Sequence, residues 1–241
     1  MLLLRALLFY VGLGSSTLLF GPAMLLFYPI PFRTRYYAVT RWTAFNLWWL
    51  RATCGLGHSV EGRENIPAGP VVVLCKHQSA FETLALQLLF VPQAWVLKRE
   101  LLWIPIYGWG LAVMQPIAID RGSAVKSFRQ IVAQGSQRLR DGVSVVVFPE
   151  GTRTAPGERG KYLPGGAMLA GKSGFPVVPV AHNAGWFWRR KGLLKYPGEI
   201  KMVIGPPIHT DGLSTAEINR RAEEWIENTT AGLPQPRPQR G

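Results

Sequence analysis

Sulfur and acid are both scarce in this sequence of 241 residues. Only two cysteines occur, Cys54 and Cys75, 21 positions apart in unrelated apolar surroundings. That spacing suits no metal site and two isolated thiols build no disulfide framework, so reduced cysteines in a cytosolic setting are expected. Beside His77, the histidines His58, His182 and His209 are too scattered to propose a metal cluster. No internal repeat occurs, which excludes solenoid and propeller arrays.

Asp and Glu number 14 against 27 Lys and Arg, a formal excess of +13. A chain so short of negative charge favours a partner that carries it, and phosphate head groups and nucleic acid both qualify. The cations are dispersed, however, and no recognised nucleic-acid motif appears. Nine Trp residues and a 48% apolar composition favour the membrane, because indole rings settle where hydrocarbon meets water. No nucleic-acid partner is therefore expected.

From Ala6 to Phe32 charge is absent altogether. As one helix these 27 residues would measure about 40 Å, more than the roughly 30 Å hydrocarbon core. The run is too long for a signal peptide and lacks a small-x-small cleavage site. Gly12, Gly14, Gly21 and Pro22 argue against a single straight helix. Arg33, Arg35 and Arg41 come next, and Trp42, Phe45 and Trp49 at helical spacing then read as an interfacial helix. The basic cluster places the remainder of the chain on the cytoplasmic side. Residues 1–56 are accordingly assigned to a membrane-anchoring helical segment, a buried core helix being the alternative that composition leaves open.

Beyond about Gly57 short apolar runs alternate with amphipathic ones. Residues 70–76, 94–98, 116–120, 143–149, 176–182 and 199–205 read as strands, and their nearly continuous apolar character implies burial on both faces. Ser79 to Phe90, Ser123 to Arg140, Gly165 to Ser173 and Ser214 to Thr230 carry helix patterns. The expected class is α/β, a mostly parallel sheet flanked by helices over residues 57–231, mounted on the N-terminal helical segment. Residues 232–241, "GLPQPRPQRG", hold too little apolar surface to order themselves.

In such sheets ligands gather beyond the carboxyl ends of the strands. His77 follows the first of these strands, Lys98 ends the second, Arg121 follows the third, and Glu150 with Arg153 follow the fourth. A base, an acid and several cations thus converge on one edge, an arrangement suited to an anionic substrate. Ser79 with Glu82 matches the capping box, in which the glutamate reaches back to the cap N–H. Glu82 can also pair with His77 if the helix starts between them, so the two readings are compatible. "GAMLAGKS" (166–173) satisfies the phosphate-binding pattern GxxxxGK[ST]. No buried strand precedes it, and Pro176 is badly placed for a new helix, so it reads instead as a short helix closed by Gly174.

The strings "HQSAFE", "PIAIDRG", "VVVFPEGTRT" and "FPVVPVAHNAG" resemble, in order and interval, the four blocks of the glycerolipid acyltransferases, and within them the bacterial 1-acyl-sn-glycerol-3-phosphate acyltransferases. The resemblance covers about residues 57–210. It implies an enzyme of the bacterial inner membrane that moves an acyl group from acyl-CoA or acyl carrier protein to the sn-2 hydroxyl of lysophosphatidic acid, giving phosphatidic acid, with no cofactor. It further implies His77 and Glu82 as the catalytic pair and Glu150, Gly151, Thr152 and Arg153 in the acceptor site. Two residues depart from the usual pattern: Glu82 stands for the common Asp, and Lys76 for the common Asn. The chemistry suits the residues independently, since a His held by a carboxylate can deprotonate a substrate hydroxyl as it attacks a thioester. Arg153, Arg121 and Lys98 would hold the acceptor phosphate, Arg153 being best suited to forked pairing. Backbone amides of the "HQSAF" turn, or Lys98, are candidate oxyanion donors. A different lysolipid acceptor, or a non-catalytic membrane scaffold, is the competing reading.

Overall fold

The computed structural model describes residues 1–120 and 122–235. Two long helices lead. α1, Leu2–Leu26, contains Pro22, and α2, Phe32–Cys54, ends on Gly55 at φ 64°, the left-handed stop that glycine adopts without strain. The glycines and proline of the first segment do not divide it. Gly12 and Gly21 instead allow close approach. A Cβ on Gly12 would overlap the indole of Trp49 on α2, and one on Gly21 would lie 2.8 Å from Cγ2 of Ile106. Nε1 of Trp49 donates to the Leu8 carbonyl at 3.1 Å, fastening the two helices together.

Elsewhere α1 is open. In its most apolar 18-residue window the mean hydropathy is 1.7 and only 11% of residues are buried. By length and composition it could cross a membrane, and Leu18, Leu19 and Leu26 on it are exposed. Arg35 belongs to the basic cluster that follows the apolar run. It is buried, donates to the Tyr28 carbonyl at 2.9 Å and lies over the Tyr28 and Phe32 rings, so it holds the turn between the helices.

The chain continues through β1 (Leu56–Glu61), β2 (Val72–Cys75), α3 (Phe81–Leu89), β3 (Gln93–Lys98), α4 (Tyr107–Val113), β4 (Ile117–Ile119), α5 (Ala124–Arg140) and β5 (Ser144–Val147). It ends with α6 (Gly165–Ser173), β6 (Val177–His182), α7 (Ala184–Phe187), β7 (Gly198–Ile204) and α8 (Thr215–Gly232). The seven strands form one sheet in the order β1-β7-β6-β2-β5-β3-β4. Only the β6–β7 pairing is antiparallel. β2, β3, β4, β5 and β6 therefore run the same way and end at one edge.

Every residue of β2 and β5 is buried. Because side chains alternate across a strand, Val73, Cys75 and Val146 face one apolar cluster with Phe81 and Leu86 of α3 and Leu47 and Leu50 of α2. Val72, Leu74, Val145 and Val147 face the other, with Ile131 of α5, Leu169 of α6 and Ile226 of α8. α6 is closed by Gly174 at φ 74°, and a Cβ on Gly166 would overlap the Leu74 side chain. Gly166 of the "GAMLAGKS" pattern thus serves helix–sheet packing. β1 lacks the apolar run of the other strands. It is an edge strand with Leu56 alone fully buried. Most of the 232–241 tail, residues 236–241, lies outside the described residues.

The Gly12–Trp49 contact gives a direct test of how the helical pair is held. Gly12→Val forces the indole away and should cost about 1–3 kcal/mol, the usual range for overpacking, read as a lower thermal midpoint in detergent. Gly14→Val is the control for helix propensity, since a Cβ at Gly14 meets nothing within 4 Å. Equal losses in the two variants would show that packing is not the cause.

Candidate active site

β2 ends at Cys75, and His77 stands two residues on, in the loop before α3. The helix begins one residue later than the cap pattern suggests, with Ala80 rather than Ser79 flanking it. Ser79 still serves the start, its Oγ accepting the Phe81 N–H at 3.2 Å. One carboxylate oxygen organises the whole turn. Oε1 of Glu82 accepts from Ser79 N–H at 2.7 Å, from Gln78 N–H at 2.9 Å, and lies 2.8 Å from Nδ1 of His77. The glutamate is therefore helix cap and histidine partner at once.

Burying a lone carboxylate costs several kcal/mol. Hydrogen bonds to a charged group contribute roughly 1.5–3 kcal/mol each, so three on one oxygen offset that cost. Burial alone would raise the Glu82 carboxyl. The N–H edge of His182, 3.8 Å from Oε2, the hydrogen bond from His77 Nδ1 and the Ser79 N–H outweigh it and hold the group below its ordinary value. An ionised carboxylate only accepts. Nδ1 of His77 consequently carries the ring proton and Nε2 is left as the base. The ring stacks on Phe148, centroids 4.0 Å apart at 16°, and its side chain is 15% exposed.

His77 lines a cleft of about 780 Å³, together with Lys98, Gly151, Thr152 and Arg153. Lys98 pairs with Glu100 at 3.2 Å, both about half exposed, a contact worth little in water and easily exchanged for another anion. Nε of Arg153 is buried without a partner among the described residues. Gly151 sits at φ 67°, a conformation that turns the "PEGT" loop and that a side chain would strain. Arg121 lies outside the described residues.

Glu150 borders the same cleft, but its carboxylate is turned inward. Oε1 contacts Lys76 Nζ at 2.9 Å and accepts from Thr154 Oγ1 at 3.1 Å, while Oε2 accepts the His77 N–H at 2.7 Å. Its geometry suits holding the His77 loop rather than touching a substrate. The expectation of oxyanion donors in the turn changes for the same reason. The amides of His77, Gln78, Ser79 and Phe81 are all engaged, which leaves the Ala80 amide and Lys98 as the candidates.

Two residues escape the sequence reading. Arg190 lines the cleft and its Nη1 donates to the Arg153 carbonyl at 2.9 Å. The run "WRRKG" beyond the fifth aligned strand was the available signal. His182, set aside as scattered, is buried behind Glu82, with Nε2 3.8 Å from Oε2. Among the described residues no group of three or more His, Cys, Asp or Glu is placed to hold a metal ion.

A sequence model described as Acyltransferase matches residues 58–183. The chain is 45% identical over 235 residues to the 1-acyl-sn-glycerol-3-phosphate acyltransferase of Pseudomonas aeruginosa, covering 95% of this chain and 91% of that one. It is 28% identical over 193 residues to a chloroplastic 1-acyl-sn-glycerol-3-phosphate acyltransferase of Arabidopsis thaliana, covering 78% of this chain and 52% of that one. Among solved structures, the 1-acyl-sn-glycerophosphate acyltransferase of Thermotoga maritima superimposes with a TM-score of 0.80 at 24% identity over 95% of both chains, a likeness of fold.

The double duty of Glu82 separates under substitution. Glu82→Gln keeps an amide oxygen for the two backbone N–H groups and loses the charge opposite His77. The chain should stay folded by circular dichroism, while any turnover that uses His77 as a base falls by about a hundredfold or more. A variant that keeps its rate would make Glu82 a helix cap and nothing else.

Proposed function

The chain belongs to the acyltransferase family, and from that premise we propose that it transfers an acyl group from a thioester to the sn-2 hydroxyl of lysophosphatidic acid, giving phosphatidic acid. The observation that carries this reading is the His77–Glu82 contact at 2.8 Å, on the wall of a cleft that also holds Arg153 and Arg190. A hydroxyl is a poor nucleophile at neutral pH. Nε2 of His77 removes its proton as the oxygen attacks the thioester carbonyl, and Glu82 stabilises the imidazolium that forms. When the tetrahedral intermediate collapses, the C–S bond breaks and the imidazolium returns the proton to the departing thiolate. The nucleophile belongs to the acceptor, so no covalent acyl-enzyme is required. Acyl-CoA and acyl carrier protein present the same thioester.

Phosphate recognition falls to Arg153, supported by Lys98, Arg190 and Arg121. The guanidinium offers forked donors that an ammonium lacks. The fatty chain has an apolar path. The cleft shares Trp42, Trp95, Tyr107 and Leu111 with a smaller space of about 70 Å³ that Phe20 and Met24 of α1 also line. Residues 1–56 act as the anchor, and residues 57–231 as the catalytic domain. α1 supports membrane association, and Arg33 and Arg41, beyond its apolar run, assign the domain to the cytoplasmic face of the inner membrane.

The test is purified full-length protein with acyl-CoA or acyl carrier protein thioesters and a panel of lysolipids, products being identified by mass spectrometry. Lysophosphatidic acid should be the preferred acceptor, and His77→Ala should remove nearly all transfer. A rate above about a tenth of wild type in that variant contradicts general-base catalysis of the usual ~10² to 10⁴. Preference for a lysolipid with a substituted phosphate would reassign the acceptor and leave the chemistry in place.

A further inference from the structure

The peptide unit joining Lys76 to His77 is held at both polar ends. Its carbonyl accepts from Nε2 of His182 at 2.8 Å, and its N–H donates to Oε2 of Glu150 at 2.7 Å. A peptide is planar, so two contacts on its opposite edges fix its rotation and with it the direction of the His77 side chain. The following carbonyl, that of His77, accepts the Thr154 N–H at 2.8 Å.

Each holder is itself held. His182 is fully buried and its Nδ1 accepts the Ala184 N–H at 3.2 Å. The ring is therefore neutral with its proton on Nε2, the atom that serves the Lys76 carbonyl. Lys76 is 1% exposed, and its Nζ reaches Oε1 of Glu150 at 2.9 Å, Oε1 of Glu227 at 2.7 Å and the Glu158 carbonyl at 2.9 Å. Two of the ammonium's three donors make hydrogen bonds, and the Glu150 contact is an ion pair. Glu227, on α8, also accepts the Tyr162 hydroxyl at 2.8 Å. A buried ammonium persists only where it is paired and hydrogen-bonded, and here the pairing runs from α8 through Lys76 and Glu150 to the amide of His77. An Asn at position 76 would leave the buried Glu150 carboxylate and the partly buried Glu227 carboxylate without that cation.

Resting on the reading of His77 as the general base, we propose that Lys76 and His182 are positioning residues, which fix the 76–77 peptide and so aim Nε2 of His77 at the acceptor hydroxyl. Neither touches the reacting atoms. Their effect belongs in kcat, because misplacing a catalytic group by about 1 Å costs on the order of a hundredfold in rate.

Two polar substitutions of His182 separate this role from simple packing. His182→Asn keeps an acceptor for the Ala184 N–H but is too short to reach the Lys76 carbonyl. His182→Gln sets an amide N–H where Nε2 stood. With full-length protein in detergent, kcat should fall roughly tenfold or more in His182→Asn, with both KM values within about twofold of wild type. His182→Gln should recover to within about threefold of the wild-type kcat. Lys76→Met should reproduce the Asn variant's split, and it decides alone if His182→Asn does not fold. A wild-type kcat in His182→Asn overturns the proposal, as do equal losses in the two His182 variants, a rise in both KM values, or a His182→Gln chain that cannot fold. His77→Ala, assayed alongside, keeps the two levels apart. Activity retained there removes the general-base reading, whereas an inactive His77→Ala beside a fully active His182→Asn removes only the positioning.

Discussion

The site depends on a single oxygen. Oε1 of Glu82 gathers the N–H groups of Gln78 and Ser79 and the Nδ1 of His77 within 2.9 Å. The N–H groups of Gln78 and Ser79, in the turn that leads into α3, bond to no backbone carbonyl, and a fully buried carboxylate has no water. Each deficit is met by the other. Starting α3 and orienting the base are therefore one structural event, and a shift in the helix start would displace the imidazole. Glutamate in place of the family's usual aspartate fits this geometry, because its longer side chain reaches back from inside the helix while its second oxygen faces His182.

Around that point the sheet does the gathering. Five strands running in one direction end at one edge, so residues far apart in sequence meet without any local instruction. The amide of His77 and the carboxylate of Glu150 are 73 positions apart and in contact. Where Trp42, Trp95, Tyr107 and Leu111 line the cleft, α1, α2 and α4 pack through glycine contacts and leave apolar space continuous with it. The two N-terminal helices and the sheet domain thus share a wall, and the helical segment packs with the sheet's own helices instead of hanging from a linker.

Much of this was legible in the sequence because it was local. Apolar runs marked six of the seven strands within a few residues, and the Ser79–Glu82 spacing announced a helix start. β1 was illegible because Leu56 alone of its residues is fully buried, so it shows no apolar run. Gly12 and Gly21 do not interrupt α1, and their small size is used by Trp49 and Ile106, partners 37 and 85 positions away. The support beneath His77 left no local trace at all. Lys76 meets His182 across 106 positions and Glu227 across 151. Arg35 shows the same limit from the other side: its burial leaves no trace in neighbouring residues, because the rings it stacks on and the carbonyl it bonds are set by a turn.

The mechanism requires opposite tautomers in two histidines. If Glu82 is an ionised acceptor, His77 must carry its proton on Nδ1. If His182 accepts the Ala184 N–H and supports the Lys76 carbonyl, it must carry its own on Nε2. Nitrogen-15 NMR of histidine-labelled full-length protein in micelles at neutral pH, assigned by single substitution of the four histidines, reads both directly. The predicted spectrum has an Nδ1–H signal from His77 that disappears in Glu82→Gln, and an Nε2–H signal from His182. A proton on Nε2 of His77 would leave no base facing the cleft and would contradict the central claim.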